Sequence, residues 1–173
     1  MTSAQRRESI VSLLKDTTQP ISAAALAKQL NVSRQAIVGD IALLRAAGMD
    51  ILSTPRGYIV APLMQNDGIV RTIACNHTPE NMEKEIYTII DNGGALIDVI
   101  VEHRIYGQLT GQLNIFSRYD ADEFIKSTKE QNAPLLSKLT NGVHLHTIRC
   151  KNEETFQRIV SALENANILL DKN

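Results

Sequence analysis

The side chains with the most chemistry to offer in this 173-residue sequence are four histidines, His77, His103, His144 and His146. Neutral imidazole is the commonest protein ligand for zinc, nickel or iron. His144 and His146 stand two apart, so on a strand both point to one face. His77 shares parity with Ile73 and Cys75, the apolar side of the strand-like run over 69–76. A fourth donor comes most naturally from the helix that follows, where Glu80, Glu83 and Glu85 are the carboxylates, and residue types alone leave all three open. The chemistry expected of such a set is ligation of one divalent transition metal per chain (nickel, zinc or iron), against the plainer reading of a polar pocket edge. Cys75 and Cys150 stand alone rather than in a C-x-x-C pair, so neither a disulfide framework nor a zinc ribbon is indicated, and they read as buried free thiols.

These residues are carried by a second half that reads as alternating elements. Strands are expected at 69–76, 96–101, 107–115 and 143–150. Helices are expected at 79–91, at 120–131 with Asp120 as cap, and at 153–166, where Phe156, Ile159, Val160 and Leu163 face inward. The order β-α-β-β-α-β-α matches a ferredoxin-like unit with one added helix, whose strands run 4-1-3-2 across the sheet. In that topology the end of the first strand, the start of the fourth and the end of the second share one edge, so all four histidines converge there.

The first third reads differently. Ile10, Val11, Leu13 and Leu14 mark a first helix that stops before Pro20. Ser22 caps a short second helix over 23–30, and Asn31-Val32-Ser33 is a tight turn in which Asn takes a left-handed backbone. A third helix over 34–47 carries Ile37, Ile41 and Leu44 as its buried stripe and ends at Gly48. Runs 50–53 and 57–60, separated by Thr54-Pro55-Arg56, form a hairpin with Arg56 at its tip. Two helices joined by a tight turn present the second to a major groove, so Ser33, Arg34, Gln35, Val38 and Gly39 are the expected base- and phosphate-reading residues, with Arg56 on the backbone or minor groove. Charge agrees with this division: residues 1–62 hold seven Lys or Arg against four acids, net +3, while the remainder nets −4. Pro62 and Asn66-Asp67-Gly68 place the boundary between domains 1–62 and 68–173.

The stretch ISAAALAKQLNVSRQAIVGDIALLRAAGMDILSTPRGYIV resembles the winged helix-turn-helix at the head of biotin-protein ligase repressors and many other regulators. The segments ACNHTPENMEKEIYTIIDNGG, DVIVEHRIYGQLTGQLNIFSRYD and PLLSKLTNGVHLHTI resemble the 3H domain, and winged helix followed by 3H is the order of the niacin-responsive repressors of NiaR type. That resemblance implies a metal held by His77, Glu85, His144 and His146, with nicotinic acid as effector and genes of niacin uptake and NAD synthesis as targets. On physical grounds, the ring of such a ligand is expected beside His103 or Tyr106. Arg104 stands where the family commonly has a proline.

The fold class expected is therefore α+β: a winged helix-turn-helix followed by a ferredoxin-like sensor. The protein is expected to be a repressor and not an enzyme, to bind operator DNA as a homodimer over two half-sites, and to be cytoplasmic. No run of about eighteen apolar residues exists and the N-terminus lacks a secretory signal, so no membrane partner is expected. A biotin-ligase-type enzyme would need a glycine-rich adenylate loop that is absent. Two alternatives use the same donors, a regulator that senses the metal ion itself and a metal-dependent hydrolase with Glu80 or Glu83 as base.

Overall fold

The computed structural model describes residues 1–60 and 68–170. The chain divides into two compact units, 1–65 and 66–173. The predicted boundary at 61–68 falls almost wholly on residues outside those described.

In the first unit, α1 (Ser3–Lys15), α2 (Ala23–Leu30) and α3 (Arg34–Ala46) precede a hairpin of β1 (Ile51–Thr54) and β2 (Gly57–Val60). Ser22 and Ser33 cap α2 and α3 by accepting from the backbone N–H of Ala25 and Ala36. Asn31 between them is left-handed, φ 53°, which is what lets the two helices turn sharply. Ile10, Leu14, Leu26, Ile37, Ile41, Leu44 and Ile51 are buried together. The wing is tighter than the sequence suggested: Thr54 pairs with Gly57, leaving only Pro55 and Arg56 between strands. Ile21 adds a bridge to Tyr58, and a Cβ on Gly57 would lie 2.3 Å from the Ile21 carbonyl oxygen. That close approach ties the wing to the start of α2.

In the second unit, β3 (Ile69–Asn76), α4 (Met82–Asp91), β4 (Gly94–His103), β5 (Gly107–Ile115), α5 (Arg118–Gln131), β6 (Val143–Cys150) and α6 (Glu153–Asn165) follow the expected element order. A short 3-10 turn, Pro79–Asn81, precedes α4. The cap of α5 is Ser117 rather than Asp120, which is buried in the first turn and accepts from Phe116 N–H and the Ser117 hydroxyl.

The sheet is antiparallel in the order β3-β6-β4-β5, which is 1-4-2-3 in this unit and not the ferredoxin-like 4-1-3-2. Side-chain pattern explains the difference. β5 alternates inward residues with exposed Gln108, Thr110 and Gln112, tolerable on an edge, whereas β4 and β6 are apolar or buried along most of their length and take the two central places. The inward residues Ile73, Leu96 and Ile148 meet Ile86 and Ile89 of α4, Ala121 and Ile125 of α5, and Ile159 and Leu163 of α6 in one core. Among the described residues no helix is long and apolar enough to cross a membrane.

Ile37 is fully buried and anchors α3 to the N-terminal core. Ile37→Ala is expected to destabilise the protein by about 2–5 kcal/mol, read by urea unfolding followed by circular dichroism.

Candidate metal centre and nucleic-acid interface

Glu85 is 2% exposed although it lies in the first turn of a helix on the surface of a sheet. It shares the buried side of α4 with Ile86 and Ile89, while Glu83 pairs at 3.0 Å with Lys129 and Glu80 belongs to the preceding 3-10 turn. The periodicity Met82, Glu85, Ile86, Ile89 was thus a signal in the sequence that singles out one of the three glutamates.

Three imidazoles meet this carboxylate. His77 Nε2 lies 2.8 Å from Glu85 Oε2, His146 Nε2 3.3 Å from the same oxygen, and His144 Nε2 3.2 Å from Oε1. All three histidine side chains are nearly inaccessible. The far nitrogen of each ring faces a backbone carbonyl: His77 Nδ1 the Thr78 oxygen at 2.8 Å, His144 Nδ1 the Gly142 oxygen at 2.7 Å, and His146 Nδ1 the Asp98 oxygen at 2.6 Å. A carbonyl only accepts, so each Nδ1 carries the proton and donates. Every Nε2 is then left with a lone pair when the ring is neutral. Three such lone pairs aimed at an anion repel it, and the arrangement is favourable only with imidazolium protons or a cation among them.

The donor types suit a divalent transition metal, and among the described residues Cys75, Glu85 and His144 have ligand atoms all within 4.8 Å of one another. Donors at about 2.0–2.2 Å from one ion, at right or tetrahedral angles, are roughly 2.8–3.6 Å apart, a range that contains the three histidine–glutamate separations. Carbonyl-held Nδ1–H groups are also what commonly fix metal-ligating histidines. Cys75, fully buried and paired in register with His144, has its sulfur within 4.8 Å of donor atoms of Glu85 and His144, a proximity the sequence reading did not include. Burial, with the Glu85 charge, pushes its thiol pKa far up.

Backbone devices aim the rings. A β-bulge between Leu96 and Asp98 turns the Asp98 carbonyl toward His146, and the Asp98 carboxylate accepts from Thr147 N–H at 3.0 Å. Gly142, φ +97°, presents its carbonyl to His144, and a Cβ there would lie 2.5 Å from the His77 carbonyl oxygen. One turn therefore serves two of the three histidines.

His103 does not join them. It sits at the right edge of the sheet as the last residue of β4, but its Nδ1 accepts from Ile105 and Tyr106 N–H in the following turn and its ring stacks on Tyr106 at 5.0 Å. With Nδ1 accepting, Nε2 carries the proton, the reverse of the other three. The strand ends do coincide as expected, but the four-histidine convergence is a cluster of three.

A cavity of about 240 Å³ opens from the cluster. His77, Glu85, His144 and His146 form one end; Leu96, Val99, Leu113, Phe124 and Leu136 supply apolar walls, and Thr128 and Ser137 are its hydroxyls. His103 and Tyr106 do not line it.

In the first unit, Ser33, Arg34, Gln35 and Gly39 are exposed on α3, whereas Val38 is half-buried. The Ser33 hydroxyl caps the helix. Arg56 donates to the Gln19 side chain at 3.1 Å, so the wing tip is braced against the loop before α2. Asp40, the one acid of α3, is 3% exposed and held by Arg6 and Arg7 of α1, which removes negative charge from the face that carries Arg34 and Gln35.

Comparison with known proteins agrees with this division. Residues 70–172 match the 3H domain and residues 6–59 an HTH domain. The chain is 40% identical over 168 residues to the probable transcription repressor NiaR of Thermotoga maritima, covering 97% of this chain and 95% of that protein. It is 41% identical over 169 residues to the transcription repressor NadR of Bacillus subtilis, covering 96% and 94%.

Two outcomes are expected of the centre. Gly142→Ala should destabilise by about 1–3 kcal/mol from the left-handed backbone alone, read by urea unfolding. In chelator-treated protein, burial favours neutral His77, but its hydrogen bond to Glu85 and the Glu85 charge outweigh this and raise its pKa. Burial likewise opposes the Glu85 charge, but the His146 charge and the hydrogen bonds from His144, His146 and His77 hold its pKa well below the ordinary value. The raised histidine stabilises fully below its ordinary 6.5 and loses that contribution as pH rises through its folded value. The depressed glutamate stabilises above its ordinary 4.5 and loses that contribution as pH falls through its folded value. The metal-free melting temperature should therefore be higher at pH 6 than at pH 8, measured in chelator at both.

Proposed function

Because the chain belongs to the family of transcription repressors that join a helix-turn-helix to a 3H domain, a family of regulators rather than enzymes, we propose that it is a repressor that binds operator DNA when nicotinic acid occupies its C-terminal unit. It acts on genes of niacin uptake and NAD synthesis, as the resemblance to niacin-responsive repressors implies. The observation that carries the effector class is the cavity: apolar along its walls and closed at one end by three histidines and a glutamate. An apolar cavity of roughly 150 Å³ takes a benzene ring, so the larger space here suits a single aromatic ring bearing one small polar group.

His77, Glu85, His144 and His146 hold one divalent transition metal, nickel, zinc or iron. The ion supplies a positive charge and an acceptor position for a carboxylate or a pyridine nitrogen. The protein residues orient that end: three Nδ1–H···O=C hydrogen bonds fix the rings, and apolar side chains line the walls beside it. The winged helix reads DNA with Ser33, Arg34 and Gln35 at the α3 N-terminus, and Arg56 contacts backbone or minor groove. Because one helix covers only a few base pairs, specific repression uses a homodimer on two half-sites.

Coupling requires a difference in nicotinate affinity between DNA-competent and incompetent states, typically about 1–3 kcal/mol or roughly 5- to 150-fold. The test is calorimetry of metal-loaded protein with nicotinate. It is followed by titration of a duplex enriched from a random-sequence pool, with and without nicotinate, on wild type and on the His144→Ala/His146→Ala double variant. The double variant should lose the metal by elemental analysis and lose the nicotinate response, keeping weak, salt-sensitive DNA binding. An unchanged nicotinate response in metal-free protein would refute the reading. Operator binding that follows the metal alone would replace it with metal sensing.

A further inference from the structure

Of the nine glycines in the chain, eight have a reason within the protein. Gly48, Gly57, Gly93, Gly107 and Gly142 have positive φ between +68° and +138°. Gly68, Gly94 and Gly111 have ordinary backbone, but a Cβ on each would meet another atom at 2.8–2.9 Å. Gly39 has neither reason. It lies in the middle of α3 in regular helical backbone, and among the described residues nothing beyond its chain neighbours and the helix's own backbone comes within 4 Å of where its Cβ would be. Glycine inside a helix is unfavourable relative to alanine because it has more freedom to lose. The chain thus keeps a destabilising residue that its own packing does not require.

The place is specific. Gly39 is one turn beyond Gln35 and directly precedes Asp40, whose charge is turned inward to Arg6 and Arg7. Side chains on a helix lean toward its N-terminus, so a methyl group at 39 would cover the turn that carries Gln35. Gln35 is exposed and can make a bidentate contact with an adenine edge only if the helix sits deep enough in the major groove.

We propose that Gly39 is a specificity-determining contact residue: its bare Cα is where α3 comes closest to the major-groove floor, and its missing side chain sets the depth at which Gln35 reaches its base. This rests on the DNA-binding part of the function above and is independent of metal and nicotinate.

The experiment compares wild type with Gly39→Ala in the full chain, using a duplex enriched by the wild type from a random-sequence pool and a scrambled duplex of equal length. Alanine should raise the melting temperature by about 2–8 °C. It should weaken binding to the enriched duplex by at least about tenfold, and leave binding to the scrambled duplex unchanged. Unchanged affinity for the enriched duplex would overturn the proposal. So would a lowered melting temperature, which would make Gly39 a requirement of the fold, or an equal loss on both duplexes. Failure of the wild type to enrich any sequence would instead defeat the DNA-binding reading itself, and this inference with it.

Discussion

A carboxylate buried among three imidazoles is the constraint around which the C-terminal unit is organised. An ionised Glu85 at 2% exposure would be strongly unfavourable in an apolar surrounding without compensating positive charge and hydrogen bonds. That compensation has to arrive from two places: His77 just past the end of β3, and His144 and His146 at the start of β6. Only a sheet in which β3 and β6 are neighbours brings His77 beside His144, and only a β4 adjacent to β6 brings the Asp98 carbonyl under His146. The strand order, the bulge in β4 and the left-handed Gly142 are therefore parts of one requirement, that three Nε2 atoms point at one site with their tautomers fixed.

Much of this was legible in the sequence, and the exceptions have identifiable causes. The two-residue spacing of His144 and His146 and the shared parity of His77 with Cys75 depend only on the strand period, which is local, and both rings lie where that period puts them. The sheet order depends on which strands accept two neighbours, a comparison across the whole unit that the element order β-α-β-β-α-β-α does not contain. The exposed polar alternation of β5 held the answer. The placement of His103 failed for a related reason. Strand direction brings it to the correct edge, but the last residue before a tight turn is claimed by the turn, and Ile105 and Tyr106 N–H take its Nδ1. Glu85 was readable from the apolar stripe of α4, whereas the proximity of Cys75 follows from cross-strand register, which no single segment encodes.

The N-terminal unit was easier because its signals are local and agree with one another. Ser22, Asn31 and Ser33 each have the conformation their residue type favours, and Ile37, Ile41 and Leu44 fall at helical spacing on the buried side. What periodicity could not supply was the fate of Asp40. An acid on a helix meant to approach phosphates looks unfavourable until Arg6 and Arg7 of α1 are seen to hold it inward, where it braces two helices and leaves the outward face without negative charge. The half-burial of Val38 belongs to the same geometry, since it sits on the flank between the buried stripe and the exposed one.

Positions that break local rules cluster at the two ends of the chain's work. Gly142 takes a backbone that other residues resist, Glu85 is charged where apolar residues are the norm, and Gly39 weakens a helix that is otherwise well capped. Sequences that specify a fold well keep such exceptions where function needs them. At Gly142 and Glu85 the exceptions support each other inside the protein: the turn aims the ring and the ring partners the carboxylate. At Gly39 the described residues offer no packing partner, which is why its compensation is proposed to come from outside. An unfavourable group satisfied internally is part of a preformed site, ready before its ligand arrives. One left unsatisfied is where an outside ligand would complete the packing, which for α3 is the DNA contact proposed above.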